Sequence, residues 1–230
     1  MVPFSFSDQE MCLVAQRALF WPRESALLVA DLHLEKASFF ARSGQMLPPY
    51  DSRETLERLA RAIRETGARR VFALGDNFHD ADGIRRLDPY AGGMLAALTR
   101  AVDWVWITGN HDSQEVSPQG GQWVEEIAVN GIILRHKARA GEKAPELSGH
   151  FHPKLTVRAR GHRISRPCAV LSERQSGCPR LILPAFGVLT GGLDAADPEI
   201  LAAMQPAETI NALLAATGKL VQFPLWRSAA

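Results

Sequence analysis

Little in these 230 residues stands out by excess, and the shortages narrow the field first. Charge nearly cancels, with 26 Lys and Arg against 25 Asp and Glu, a net +1 with His neutral. A chain that tracks a nucleic-acid backbone non-specifically would be more basic, so any such contact must come from a local patch or from bound metal ions. No apolar run approaches the roughly 20 residues that span a bilayer, so no membrane association is expected. The N-terminus, MVPFSFSDQEMC, lacks the basic start of a signal peptide. Cysteine is sparse: Cys12, Cys168 and Cys178 are odd in number and form no CxxC pair. Reduced thiols in a cytoplasmic protein are expected, not a disulfide or zinc framework. Internal repeats and low-complexity tails are also missing. What remains is an ordinary globular composition, 46% hydrophobic and 22% charged, long enough for one domain over residues 1–230 with a sizeable core.

Residues 1–24 read as one or two strands with a turn at Trp21-Pro22. Ala26–Ala30 reads as a buried strand, Leu34–Arg42 as a helix, and Gln45–Tyr50 as a loop. Asp51–Gly67 is the clearest helix: Asp51 caps it, Glu54 completes a capping-box spacing, and Leu56, Leu59, Ala60 and Ile63 share a face. Val71–Leu74 is the next strand, followed by the loop Asp76–Pro89, a helix around Tyr90–Val102 and the strand Val105–Ile107. Strand-helix-strand-helix-strand favours a parallel sheet with crossover helices. The second half changes character. Ile127–Val129, Ile132–Leu134, Leu155–Val157, Ala169–Leu171 and Leu181–Leu183 are short apolar strands suited to a mixed or antiparallel sheet. Ile200–Met204 and Glu208–Ala216 read as terminal helices and Lys219–Phe223 as a last strand. The fold expected is α/β: a two-sheet β-sandwich flanked by helices.

The chemistry collects at the ends of these strands. Asp31 and His33 lie in DLH, Asp76 in LGDNFHD, Asn110 and His111 in GNHD, His136 in LRHK, and His150 and His152 in GHFH. Six of the seven histidines fall in or beside these pieces. Carboxylate, amide oxygen and imidazole together suit a divalent ion of the Mn, Fe or Zn class. The i, i+2 spacing lets Asp31 with His33, and His150 with His152, present their side chains together. With Asp76 shared, one ion takes Asp31, His33, Asp76 and His152; a second takes Asp76, Asn110, His136 and His150. Two ions roughly 3.5–4 Å apart clamp a phosphoryl group and activate a water. His111 follows a ligand without needing to be one, and is the candidate to protonate the leaving alkoxide. Asn110 would also steady charge on the phosphoryl oxygens.

In this order the motifs D-x-H, GD, GNHD, H and GHxH resemble the calcineurin-like metallophosphoesterase superfamily over about Leu27–Pro153. That resemblance implies a double-sheet sandwich flanked by helices, a two-metal centre and phosphoester hydrolysis. LLVADLHLEKASFFARSG, GHFHPK and LPAFGVLTGG are similar to the bacterial ligase-associated DNA damage response endonucleases (the PdeM family) over nearly the whole chain. The narrower likeness implies a cytoplasmic DNA-repair phosphodiesterase or nuclease, working with an ATP-dependent DNA ligase and a helicase. Manganese is the expected metal, with Fe, Zn and Mg as alternatives.

Three departures matter. Glu35 stands where such sequences commonly carry Gly, and is expected to be an exposed helix-start residue. Asn77 replaces an apolar residue and is expected to turn outward. His79 stands where many phosphatases of the superfamily carry the Asp that supports the catalytic histidine. It resembles the nucleotide-positioning histidine of the superfamily's double-strand-break repair nucleases, which favours a diesterase. Asp80 and Asp112 read as supporting or turn residues, not ligands. Arg158, Arg160, Arg163 and Arg166, with Lys154, form a basic patch beyond GHFHPK that could lead a phosphate backbone to the metals, or simply be a solvated hairpin. Trp104, Trp106 and Trp123 read as core or rim residues, and Gly187, Gly191 and Gly192 as a tight turn near the site. Two rival readings are a small-molecule or cyclic-nucleotide phosphodiesterase and a non-catalytic scaffold. A scaffold should have lost ligands, and here every expected ligand position is filled.

Overall fold

The computed structural model describes residues 1–14, 17–112, 120–159, 161–173, 178–216 and 218–228. Sixteen strands and five α-helices are placed among them. In chain order they begin with β1 (Val2–Phe6), β2 (Gln9–Val14), β3 (Ala18–Trp21) and β4 (Ala26–Val29). Then come α1 (Lys36–Ala41), α2 (Asp51–Thr66), β5 (Arg70–Leu74), α3 (Gly83–Arg86), α4 (Pro89–Ala101) and β6 (Asp103–Ile107). β7 (Gln122–Val124), β8 (Glu126–Val129), β9 (Ile132–Arg135), β10 (Glu146–Ser148), β11 (Lys154–Ala159) and β12 (His162–Pro167) follow. The chain closes with β13 (Ala169–Glu173), β14 (Arg180–Ile182), α5 (Pro198–Ala203), β15 (Thr209–Ala216) and β16 (Lys219–Arg227).

Seven strands in the order β1-β2-β3-β4-β5-β6-β7 make the first sheet, antiparallel through β4 and parallel from β4 to β7. The second sheet is mixed, in the order β16-β15-β13-β14-β10-β9-β8. Alternation along the parallel strands shows how both faces of the first sheet are buried. Leu28, Phe72 and Leu74 point between the sheets, where they meet Leu134, Leu147 and Leu181. Leu27, Val29, Val71 and Ala73 point the other way, against Leu56, Leu59 and Ala62 of α2 and Leu95 of α4. The outer face of the second sheet packs Val170, Ile182 and Ala212 on Ile200 and Met204. The result is helix, sheet, sheet, helix, the α/β sandwich expected. Trp104 and Trp106 are buried, and Trp106 stacks on Trp123 at 5.4 Å. Among the described residues all three cysteines are free. Among the described residues no helix is long and apolar enough to cross a membrane.

Several local expectations fail for identifiable reasons. The first 24 residues hold three strands and a 3-10 turn at Pro22–Glu24, not one or two strands. Glu208–Ala216 is no helix: Thr209–Ala216 is strand β15, paired on both sides by β13 and β16. Its Ala and Leu residues favour helix locally, but Ile210 and Ala212 alternate into the core, and tertiary pairing overrides that propensity. β16 runs on through Pro224, which an edge strand tolerates. The last helix is shifted to Pro198–Ala203 because Asp197 caps it through the Glu199 N–H. Asp51 does not cap α2; Tyr50 holds that position, and the Asp51 carboxylate accepts from the Ala37 N–H at the start of α1. The buried stripe of α2 includes Ala62, not Ala60. Gly67 takes the left-handed C-cap as its position suggested, at φ 67°.

Candidate metal centre

The parallel strands β4, β5 and β6 all end on one side of the sheet, where an open α/β sheet places ligands. Past those ends the backbone leaves the pleat. Asp31, His33, Glu35, Asp76, His150 and His152 all have positive φ, between 44° and 76°. Non-glycine residues rarely adopt this conformation, and each costs on the order of 1–3 kcal/mol, so six at one place mark a site where geometry outweighs stability. Asp31 and His33 therefore share a direction through alternating left-handed turns, not through an extended strand as the i, i+2 spacing suggested. Two neighbours hold that conformation. Asp31, His33 and Leu34 donate their N–H groups to the carbonyls of Gly75, Asp76 and Asn77. On the other side the Phe186 and Gly187 N–H groups donate to the Ala30 and Asp31 carbonyls.

Six side chains converge there, four buried and two, His150 and His152, half-buried. Asp31, His33, Asp76 and His152 bring one ligand atom each within 4.8 Å of one another, and so do Asp76, His136 and His150. Asp76 joins the two groups by using different oxygens. Its Oδ2 faces His33 Nε2 at 3.7 Å, while its Oδ1 faces His136 Nε2 at 3.3 Å. The His33 and His152 Nε2 atoms are 3.2 Å apart, and His152 Nε2 lies 3.6 Å from Asp31 Oδ1. In the other group His150 Nδ1 and His136 Nε2 are 3.1 Å apart. The His136 Nδ1–H donates to the Leu74 carbonyl at 3.0 Å, which leaves Nε2 as the inward lone pair.

Burial first, then the His152 and His111 charges, push the His33 imidazole down to about 2. Burial and His136 push His150 down to about 4. Neutral imidazoles facing one another across carboxylates are a donor set for cations, and carboxylate with imidazole suits Mn, Fe or Zn. The residues therefore fit a pair of divalent ions.

That neutrality has a measurable cost. An unfolded chain protonates histidine near 6.5, but His33 and His150 resist until about 2 and about 4. His79, also lowered by burial to about 4, behaves alike. Between those values and 6.5 the unfolded state binds more protons, so stability falls as pH falls. Glu146, pushed up to about 7 by burial, and Asp112, also raised by burial, oppose the trend, but they are two carboxyls against three imidazoles. We expect the urea midpoint of chelator-treated protein to drop between about pH 6.5 and pH 4. A midpoint flat or rising over that window would contradict neutral buried histidines.

Around the ligands, small residues and one aspartate fix the loops. A Cβ on Gly109 would lie 2.0 Å from the Asp76 backbone nitrogen and 2.4 Å from its Oδ1. Gly109→Ala is therefore expected to lower thermal stability by about 1–3 kcal/mol and to displace Asp76. Unchanged stability with intact metal binding would contradict this packing. Asp112 Oδ1 accepts from the Asn77 and Phe78 N–H groups, and Oδ2 from Gly109 N–H and Asn77 Nδ2, at 2.8–3.1 Å. It splices the GD loop to the GN loop, in the supporting role expected. Asp112→Ala strands those donors and should cost about 2–3 kcal/mol, read from denaturant melts; a loss below about half a kcal/mol would show that the loops hold without it.

Asn77 is buried, not turned outward: its Nδ2 also donates to the Ile107 carbonyl. Glu35 is buried as well, contrary to the exposed residue expected. At φ 65° it occupies a conformation glycine prefers; the Ser52 hydroxyl donates to its Oε1 and accepts from its N–H. It is therefore turned away into α2 and is not a ligand of either group.

His111 sits at the mouth, half exposed. Its N–H donates to Asp76 Oδ1 at 3.0 Å, and its ring Nδ1–H to the His79 carbonyl at 2.7 Å, leaving Nε2 4.0 Å from Asp76 Oδ2. His79 supports His111 through that carbonyl and by stacking at 5.5 Å, a connection the sequence did not reveal. Asn110 is exposed beside it. Arg158 and Arg163 are register partners across the β11–β12 hairpin, and both are exposed. Arg160 lies outside the described residues. Gly187 packs where a Cβ would come within 2.2 Å of the Leu32 carbonyl oxygen, so the 185–192 segment walls the site closely. A separate concavity of about 940 Å³ opens at the opposite ends of β5 and β6, lined by Arg69, Arg70 and Thr99, and carries none of the metal-directed groups.

Such a sandwich, with paired Asp/His donor sets at its strand ends, defines a metal-dependent phosphoesterase, and comparison with known proteins gives the same class. Residues 25–214 match the calcineurin-like phosphoesterase family, and the chain belongs to it. Its structure is similar to that of the Pseudomonas putida nuclease MPE, with 30% sequence identity and a TM-score of 0.69 over 97% of this chain and 98% of that one. It also aligns with YfcE, a phosphoesterase from E. coli, at 14% identity and a TM-score of 0.44 over 87% of this chain and 98% of that one. No curated protein sequence matches.

Proposed function

We propose that this protein is a dinuclear metal-dependent phosphodiesterase acting on DNA as a nuclease. The observation that carries the reading is the division of Asp76: one carboxylate oxygen faces the His33 group and the other the His136 group. Asp31, His33, Asp76 and His152 would hold one divalent ion; Asp76, His136 and His150 would hold the other, joined by Asn110 on the strength of the GNHD motif, manganese being the first candidate. When bound, two such ions supply Lewis acidity, lowering the pKa of water and neutralising phosphoryl oxygens. The chain's own residues do the rest. His111, its Nδ1–H tied to the His79 carbonyl, presents Nε2 to the departing alcohol oxygen and delivers a proton there. Asn110, next to it, steadies the phosphoryl oxygens.

The diester preference is supported by His79, which occupies the place where a carboxylate would repel a nucleotide's phosphate and instead offers a neutral ring. DNA as the substrate is supported by the similarity to a protein named a nuclease. A role in DNA repair beside an ATP-dependent ligase and a helicase rests on the motif resemblance. The test compares diester and monoester model substrates with Mn, Fe, Zn and Mg, then plasmid with linear DNA. Preference for diesters and conversion of plasmid are expected. Clear preference for monoesters would overturn the nuclease reading, and activity confined to short or cyclic diesters would favour a small-molecule phosphodiesterase.

A further inference from the structure

The metal centre continues outward into a row of rings whose outer end, Phe39 and Phe40, the proposed reaction leaves unused. His33 and His111 lie 5.2 Å apart, and His111 stacks on His79 at 5.5 Å with 16° between the planes. Phe39 then meets His79 edge-on at 4.8 Å, and Phe40 backs His79 at 5.5 Å. His79 Nδ1 is buried without a hydrogen-bond partner among the described residues. Phe39, at the outer end, keeps 36% of its surface exposed although it is a large apolar side chain beside a polar site. One turn earlier on α1 is Lys36, half-buried and in electrostatic range of His33, His79 and Lys154. It makes no ion pair with a described residue; only Asp51 acts at longer range in its favour, against burial and Lys154. An ammonium half out of water with no ion pair to a described residue can take an anion. Residues three apart on a helix lie on one face, so the ring and the ammonium look the same way.

We propose that α1 is a nucleotide subsite of the metal centre, in which Phe39 stacks on a base flanking the scissile phosphate and Lys36, with Lys154, holds a neighbouring backbone phosphate. This deepens the nuclease reading and rests on it. Aromatic stacking accepts any base, so the subsite selects for the presence of a base and not for its identity. It excludes diesters that lack a nucleoside from full activity. Hydrogen-bond readout of sequence plays no part in it.

The test uses the full, manganese-loaded protein. One substrate is a dinucleoside monophosphate; a second replaces one base by hydrogen. The intact dinucleotide should be cleaved with about tenfold higher kcat/KM. In Phe39→Leu that ratio should collapse towards one, and in Phe39→Trp it should persist. A ratio is unaffected by how much of a variant folds. For Lys36, the logarithmic salt dependence of KM on a short single-stranded oligonucleotide should flatten by about 0.7 in Lys36→Gln and remain in Lys36→Arg. Equal cleavage with and without the base by the unsubstituted protein, or a ratio unchanged in Phe39→Leu, overturns the subsite. An unchanged salt slope in Lys36→Gln removes its phosphate contact. Hydrolysis of bis(p-nitrophenyl) phosphate without hydrolysis of the dinucleotide also overturns the subsite while leaving the diesterase reading intact. Failure on every diester overturns that reading itself.

Discussion

Asp76→Asn is expected to lose more than about a hundredfold in metal-dependent diester hydrolysis, since even groups that only orient a ligand cost 10–100-fold. The carboxylate has two oxygens, one aimed at each donor group. An amide offers one oxygen and one NH₂, so at least one group loses its shared ligand. The variant should still fold, because Asp76 sits at φ 48° and asparagine tolerates the left-handed region well. Circular dichroism separates the two effects: a native spectrum with lost activity is the expected pair of results. Native activity at saturating manganese would mean that Asp76 is not shared.

His111→Ala is the second large effect, but its size depends on the leaving group. With an alkoxide leaving group, kcat should fall by about 10²–10³, the usual contribution of a positioned acid. With an aryl leaving group that departs as a stable anion, the loss should be tenfold or less. This follows from the ring's anchorage: the His79 carbonyl fixes Nδ1–H, so only Nε2 is free to serve. Equal losses on both substrates would recast His111 as a ligand or a structural residue.

Much of this centre was legible in the sequence, because most of the ligands lie just after a short apolar run. Asp31 follows ALLVA, Asp76 follows VFALG, and Asn110 follows VWITG. Strand ends of a parallel sheet meet in space, so order along the chain was enough to sort six side chains into two groups. The backbone they use was not legible. Nothing in D-x-H says that both residues take left-handed φ, because the hydrogen bonds enforcing it come from residues 75–77 and 185–187. Burial of polar side chains was misjudged for the same reason. Asn77 and Glu35 looked exposed by type, yet Asp112 and Ser52 satisfy them from 35 and 17 residues away. Thr209–Ala216 misled in another way: its composition favours helix, and only pairing with β13 and β16 makes it a strand. Phe39 gave no sequence signal, since a half-exposed phenylalanine on a short helix resembles any amphipathic position.

The whole account depends on one carboxylate lying between two cations. Anomalous scattering from a manganese-soaked crystal tests it directly. Two peaks roughly 3.5–4 Å apart are expected, one beside Asp31, His33 and His152, the other beside His136 and His150, with Asp76 touching both. A single peak, or two peaks that do not share Asp76, would contradict it.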